Sequence, residues 1–130
     1  MHSTPTPLQT AIRKQAAFWG FVTGDALGVP VEFCSREALL RDSVTTMRGY
    51  GTHVQPAGIW SDDTSMMCCV MEWINKQRVY EWSIPFDDDT LKVLAELFLR
   101  WYQEAHHTAH GEVFDIGIAT RRALAQYEQN

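Results

Sequence analysis

From Asp87 to Ala105 apolar side chains recur at every third or fourth position, through Leu91, Leu94, Leu97, Phe98, Trp101, Tyr102 and Ala105. That period lines one face of an α-helix and cannot line one face of a strand, where the repeat is two. Asp87-Asp88-Asp89-Thr90 opens the helix with acids that complement its dipole, so this triplet is read as a helix start with no ligand role. A stripe this wide requires neighbouring helices to cover it.

The rest of the chain supplies them. Thr6-Pro7-Leu8-Gln9 places Thr at an N-cap, Pro at the first helical position and Gln where it reaches back, a capping-box start. Leu8, Ile12, Ala16, Phe18 and Trp19 then follow at helical spacing toward Gly24-Asp25-Ala26-Leu27-Gly28. Ser35 caps a short helix through Leu40, and the glycine-rich stretch 42–58 reads as a loop with room for a short strand. A further helix starts at Ser61-Asp62-Asp63-Thr64 and runs to about Gln77, with Met66, Met67, Val70, Met71 and Ile74 as its expected buried face. Asp115 can cap a last helix carrying Ile118, Leu124 and Tyr127. The expected class is all-α, in a single domain.

Charge and length exclude several functions. The 130 residues carry a net charge of -5, which offers no basic field for a phosphate backbone, so nucleic acid is not an expected partner. The longest apolar run, 66–71, is far below the roughly 20 residues that span a bilayer, so no membrane partner is expected. The opening MHSTPTP has no secretory pattern, and Cys34, Cys68 and Cys69 are odd in number with no Cys-x-x-Cys spacing. Buried thiols in a reducing cytoplasm are the expectation.

Chemistry concentrates where acids meet glycines or hydroxyls at element ends, in GDALGVPVEF, GIWSDDTSM and FDIGIATRRAL. Ser61, Asp62 and Asp63 offer consecutive hard oxygens suited to Mg²⁺ or Mn²⁺. They equally suit a helix start, with Ser61 as the cap and the aspartates on the dipole. Asp25 and Glu32 are aimed from a helix C-terminus, where a carboxylate is disfavoured unless a cation answers it; as solvated loop acids they need no such role. Asp115 reads either as a site acid or as an N-cap, with Gly117 permitting close backbone approach. Trp60, ahead of the acids, is placed to wall a pocket, while Trp19, Trp73, Trp82 and Trp101 read as core. His106, His107 and His110 are read as solvated.

Taken in order, GFVTGDALGVPVEF, GIWSDDTSM and FDIGIATRRAL resemble the ADP-ribosylglycohydrolase family, which includes the dinitrogenase reductase activating enzymes. The resemblance covers nearly the whole chain and implies a compact orthogonal array of helices. It also implies two divalent cations, Mg²⁺ or Mn²⁺, in a cleft that holds ADP-ribose. By motif position it assigns Ser61, Asp62 and Asp63 to the metals, and Glu32 to ligation or activation of water. It places Asp115 and Gly117 at the distal ribose and the scissile bond, and Asp25 in the substrate-binding turn. The implied reaction is hydrolysis of a glycosidic bond between ribose C1 and a modified side chain, with an ADP-ribosylated protein or ADP-ribose as partner.

Family members are about twice this length, as a compact domain of that kind requires. The chain is therefore expected to be the N-terminal half of one domain. A Gly-Asp-x-Asp-Thr-type segment is missing, so the remaining metal ligands would come from a C-terminal polypeptide, a second copy or waters. The alternative is a catalytically incomplete module that binds ADP-ribose or neutralises an ADP-ribosylating toxin.

Overall fold

The computed structural model describes residues 6–76 and 87–129. Five α-helices are found among them, α1 (Pro7–Gly28), α2 (Arg36–Arg41), α3 (Asp62–Lys76), α4 (Asp88–Glu104) and α5 (Ile118–Glu128), and no strand. The short strand allowed for in 42–58 does not form among these residues. Gln77, the expected end of α3, and Trp82, read as core, lie outside the described residues. The chain divides into two compact units, Met1–Gly58 and Ile59–Asn130.

In the first unit α1 starts as its sequence dictates. The Thr6 hydroxyl accepts the Gln9 amide at 3.3 Å while the Gln9 side chain accepts the Thr6 amide at 2.9 Å. The expected apolar stripe is not its buried face: Leu8 is 70% exposed and Trp19 62%, and only Val22 and Ala26 are buried. Apolar spacing makes the helix amphipathic, but burial needs a neighbour, and α1 is buried only in its last turns. Gly24 and Asp25 belong to the helix and do not form a turn. The turn comes later, as a 3-10 segment at Val29–Val31. Ser35 caps α2, its hydroxyl accepting the Ala38 amide at 3.2 Å.

The second unit holds the main core. Cys69 and Trp73 of α3, Leu97 and Trp101 of α4 and Leu124 of α5 form one buried cluster. The α4 stripe is thus covered over its C-terminal half, whereas Leu91 in its first turn is 40% exposed. Asp87 caps α4, and the Thr90 amide it accepts at 2.9 Å holds its carboxyl below the usual range. The face expected for α3 is corrected. Thr64, Ser65, Cys69 and Trp73 are buried, while Met71 and Ile74 are exposed and Met66 and Val70 only flank the core. Cys69 and Trp73 are the α3 residues in the cluster with α4, and of the methionines Met66 packs against it. Two polar bonds lock the pairing: Trp73 Nε1 donates to the Thr90 carbonyl at 2.7 Å, and Cys69 Sγ to the Leu97 carbonyl at 3.5 Å. Burial pushes the Cys69 thiol up to about 12, which makes it inert. The three thiols differ: Cys69 is buried, Cys68 intermediate and Cys34 exposed. On α5 Leu124 is buried, while Ile118 is 72% exposed.

Candidate functional site

In the second unit, α3 begins at the acidic segment. Ser61 is buried, and its hydroxyl accepts the Asp63 amide at 3.2 Å while its carbonyl accepts the Ser65 hydroxyl at 2.9 Å. Ser61 therefore does serve the helix start. Asp62 is the more informative residue. Burial first, and the adjacent Asp63 second, raise its carboxyl above the usual value, while the Gly117 amide and the Ser61 hydroxyl act in the opposite sense. A carboxylate whose charge is disfavoured by both burial and a like neighbour is one that a cation relieves. With the Ser61 hydroxyl and the Asp63 carboxylate beside it, the donor set is all oxygen and suits a hard divalent ion.

The Gly117–Asp62 bond brings two of the three motif segments together. Gly117 is the N-cap of α5 and no side chain caps that helix, so the reading of Asp115 as an N-cap is overturned. Asp115 instead adopts a left-handed φ of 58° two residues earlier. Aspartate tolerates that region better than most side chains, and such outliers concentrate at sites. Trp60 lines a shallow recess with Ser61, Asp62, Trp101, Thr108 and Phe114. The buried Trp101 Nε1 at this recess has no hydrogen-bond partner among the described residues.

In the first unit, Glu32 follows the Val29–Val31 turn and is clasped by the loop 50–55. The Thr52 amide donates to the Pro30 carbonyl at 3.0 Å, the Thr52 hydroxyl donates to the Glu32 carbonyl at 2.6 Å, and His53 Nε2 pairs with the Glu32 carboxylate. His53 was not singled out in the sequence, because a partner 21 positions away leaves no local pattern. Gly51 makes the approach possible: a Cβ there would lie 1.8 Å from the Pro30 carbonyl oxygen. Gly51→Ala should therefore push the loop off Glu32 and cost roughly 1–3 kcal/mol, the usual range for overpacking, read as a lower urea midpoint. An unchanged midpoint would mean that the loop does not rest on Pro30. Asp25 lies in the last turn of α1, partly buried, and its carbonyl accepts the Val29 amide.

Two of the three histidines depart from expectation. His106 and His107 are partly buried and both bond Glu72; His110 is exposed, with its Nε2 4.0 Å from Glu112.

Comparison with known proteins agrees with the motifs. The family model described as ADP-ribosylglycohydrolase matches residues 7–130. The chain is 36% identical over 121 residues to the ADP-ribosylarginine hydrolase Tri1 of Pseudomonas putida (strain GB-1), covering 93% of this chain and 29% of that protein. It is 37% identical over 116 residues to the ADP-ribosylarginine hydrolase Tri1 of Serratia proteamaculans (strain 568), covering 88% of this chain and 28% of that protein. The chain thus spans less than a third of the length of these relatives, where half of a family member was expected.

Proposed function

Because the chain belongs to the ADP-ribosylglycohydrolase family, we propose that it contributes one part of a hydrolase that removes ADP-ribose from a modified arginine side chain. The choice of arginine rests on the names of the two Tri1 relatives. The observation that carries the site is Asp62, half-buried with its charge disfavoured, at a helix start that also receives the Gly117 amide.

In this reading Ser61, Asp62 and Asp63 hold Mg²⁺ or Mn²⁺, two ions in the complete site, with further ligands from another segment or from waters. A bound ion would orient the ribose hydroxyls and polarise water. Glu32, steadied by His53 and the Thr52 hydroxyl, accepts a proton from the attacking water. Water oxygen bonds to ribose C1 as the C1–N bond breaks. Glu32 then passes that proton to the leaving guanidine while the other stays on the new C1 hydroxyl, so ADP-ribose and unmodified arginine are the products. The ribosyl centre gains oxocarbenium character on the way, and nearby carboxylates stabilise it. Asp115 and Gly117 contact the distal ribose, Asp25 serves substrate binding from the last turn of α1, and Trp60 walls the pocket.

The test is release of ADP-ribose from an ADP-ribosylated arginine peptide by the full chain in Mg²⁺, alone and with a polypeptide carrying a Gly-Asp-x-Asp-Thr segment. Turnover that is lost in Asp62→Ala/Asp63→Ala, with helical circular dichroism intact, is the expected result. The alternative reading is an ADP-ribose-binding or toxin-neutralising module. Metal-dependent binding of ADP-ribose without turnover in either arm would select it. Binding that is unchanged in the double variant would remove the metal assignment from both.

A further inference from the structure

We propose that Glu72, His106 and His107 form a second metal site, one for a borderline transition ion such as Zn²⁺, separate in chemistry from the oxygen-only set at Ser61–Asp63. The inference does not depend on the proposed hydrolysis.

The geometry is convergent. Glu72 lies on α3, and the two histidines follow α4, 34 and 35 positions later, so only the packing of α3 on α4 joins them. His106 Nε2 stands 2.8 Å from Glu72 Oε2, and His107 Nε2 stands 2.7 Å from the same oxygen. All three atoms lie within 4.8 Å of one another. Ligands held at about 2.0–2.1 Å around a tetrahedral ion stand roughly 3.3 Å apart, so side-chain rotations of about half an ångström would open the cluster to one. Lys76 Nζ, at 2.8 Å, occupies the other oxygen of Glu72, which leaves Oε2 as a single donor facing the imidazoles. The three side chains are 23–31% exposed, enough for an ion to enter from solution.

The loop that presents the imidazoles is set beforehand. Ala105 and His107 both adopt left-handed backbone, with φ of 56° and 61°. Non-glycine residues hold that conformation where their surroundings impose it, commonly at ligand clamps. Here the Thr108 hydroxyl donates to the Ala105 carbonyl at 2.7 Å and accepts the Gly111 amide at 3.0 Å, while Trp60 Nε1 donates to the His107 carbonyl at 3.2 Å. The order imposed on the loop does not have to be supplied by the ion.

The donor set selects the ion. Two imidazoles and one carboxylate suit zinc, cobalt or nickel and not magnesium, and three protein ligands leave a fourth position for water. The competing account is a plain hydrogen-bonded cluster, in which one carboxylate oxygen accepts from two imidazoles whose ring centroids lie 3.9 Å apart at a tilt of 43°. That account requires no affinity for zinc.

Titration of the full chain separates them. With Mg²⁺ in excess, one Zn²⁺ should bind per chain, and Co²⁺ in its place should show the intense visible bands of four-coordination. His106→Ala and His107→Ala should each weaken Zn²⁺ binding at least about tenfold, since losing a ligand costs no less than losing its supporting partner. His110→Ala should leave it unchanged. In the wild-type chain, where folding is not in question, Zn²⁺ should move two of the five histidine imidazole signals in the proton spectrum. Absence of zinc binding, six-coordinate cobalt, or zinc that moves other histidines would overturn the site.

Discussion

Leu97→Asp is expected to unfold the Ile59–Asn130 unit. Leu97 is 2% exposed in the cluster formed by Cys69, Trp73, Trp101 and Leu124, and its carbonyl accepts the Cys69 thiol. Truncating a leucine at such a position costs about 2–5 kcal/mol, and an unpaired carboxylate there adds several more. Domains have only about 5–15 kcal/mol of total stability to lose. The result should be collapse of the helical circular dichroism signal and of the urea transition. Leu97→Met keeps the volume and should cost less than about 1.5 kcal/mol, so it controls for trivial damage to α4. A cooperative transition in Leu97→Asp at the wild-type midpoint would show that the stripe of α4 is not the core.

Asp62→Asn is expected to act in opposite directions on stability and on ion binding. The Asp62 carboxyl is raised by burial and by Asp63, so its ionised form burdens the metal-free fold. A group whose folded value lies above its unfolded value is destabilising when ionised, and that penalty is lifted as pH falls through the raised value. The neutral amide removes the burden at every pH and keeps an oxygen to accept the Gly117 amide. The metal-free variant should therefore melt a few degrees higher than wild type near neutral pH, with the difference closing on acidification. It should also lose the Mg²⁺- or Mn²⁺-induced rise in melting temperature that wild type is expected to show. This is the trade expected where a site stores destabilising charge for a ligand. Equal melting temperatures together with an intact ion-induced rise would show that Asp62 is a helix-start residue only.

Element boundaries were legible because they depend on near neighbours. Thr6 with Gln9, Ser35 with Ala38 and Asp87 with Thr90 each satisfy amides three positions away, and each capped helix begins where its residues predict. Burial was less legible. On α3 the apolar residues Met71 and Ile74 lie outside, and the small residues Ser65 and Cys69 lie inside, because the partner helix chooses the face it can approach. On α1 Leu8, Ile12 and Trp19 of an equally regular apolar stripe stay exposed. Periodicity states which residues share a face, and says nothing about what stands opposite.

The same division runs through the candidate site. The residues proposed for the site, Ser61, Asp62, Asp63, Glu32, Asp115 and Gly117, stand out as sequence because acids beside glycines and hydroxyls form compact motifs. Their order along the chain was enough to indicate the family, and the match over residues 7–130 agrees. Only the folded chain could bring Gly117 to Asp62, His53 to Glu32, or His106 and His107 to Glu72. Caps and helical repeats are short-range interactions written within a few residues. Pairings between distant segments are decided when whole helices pack, and no local pattern records them.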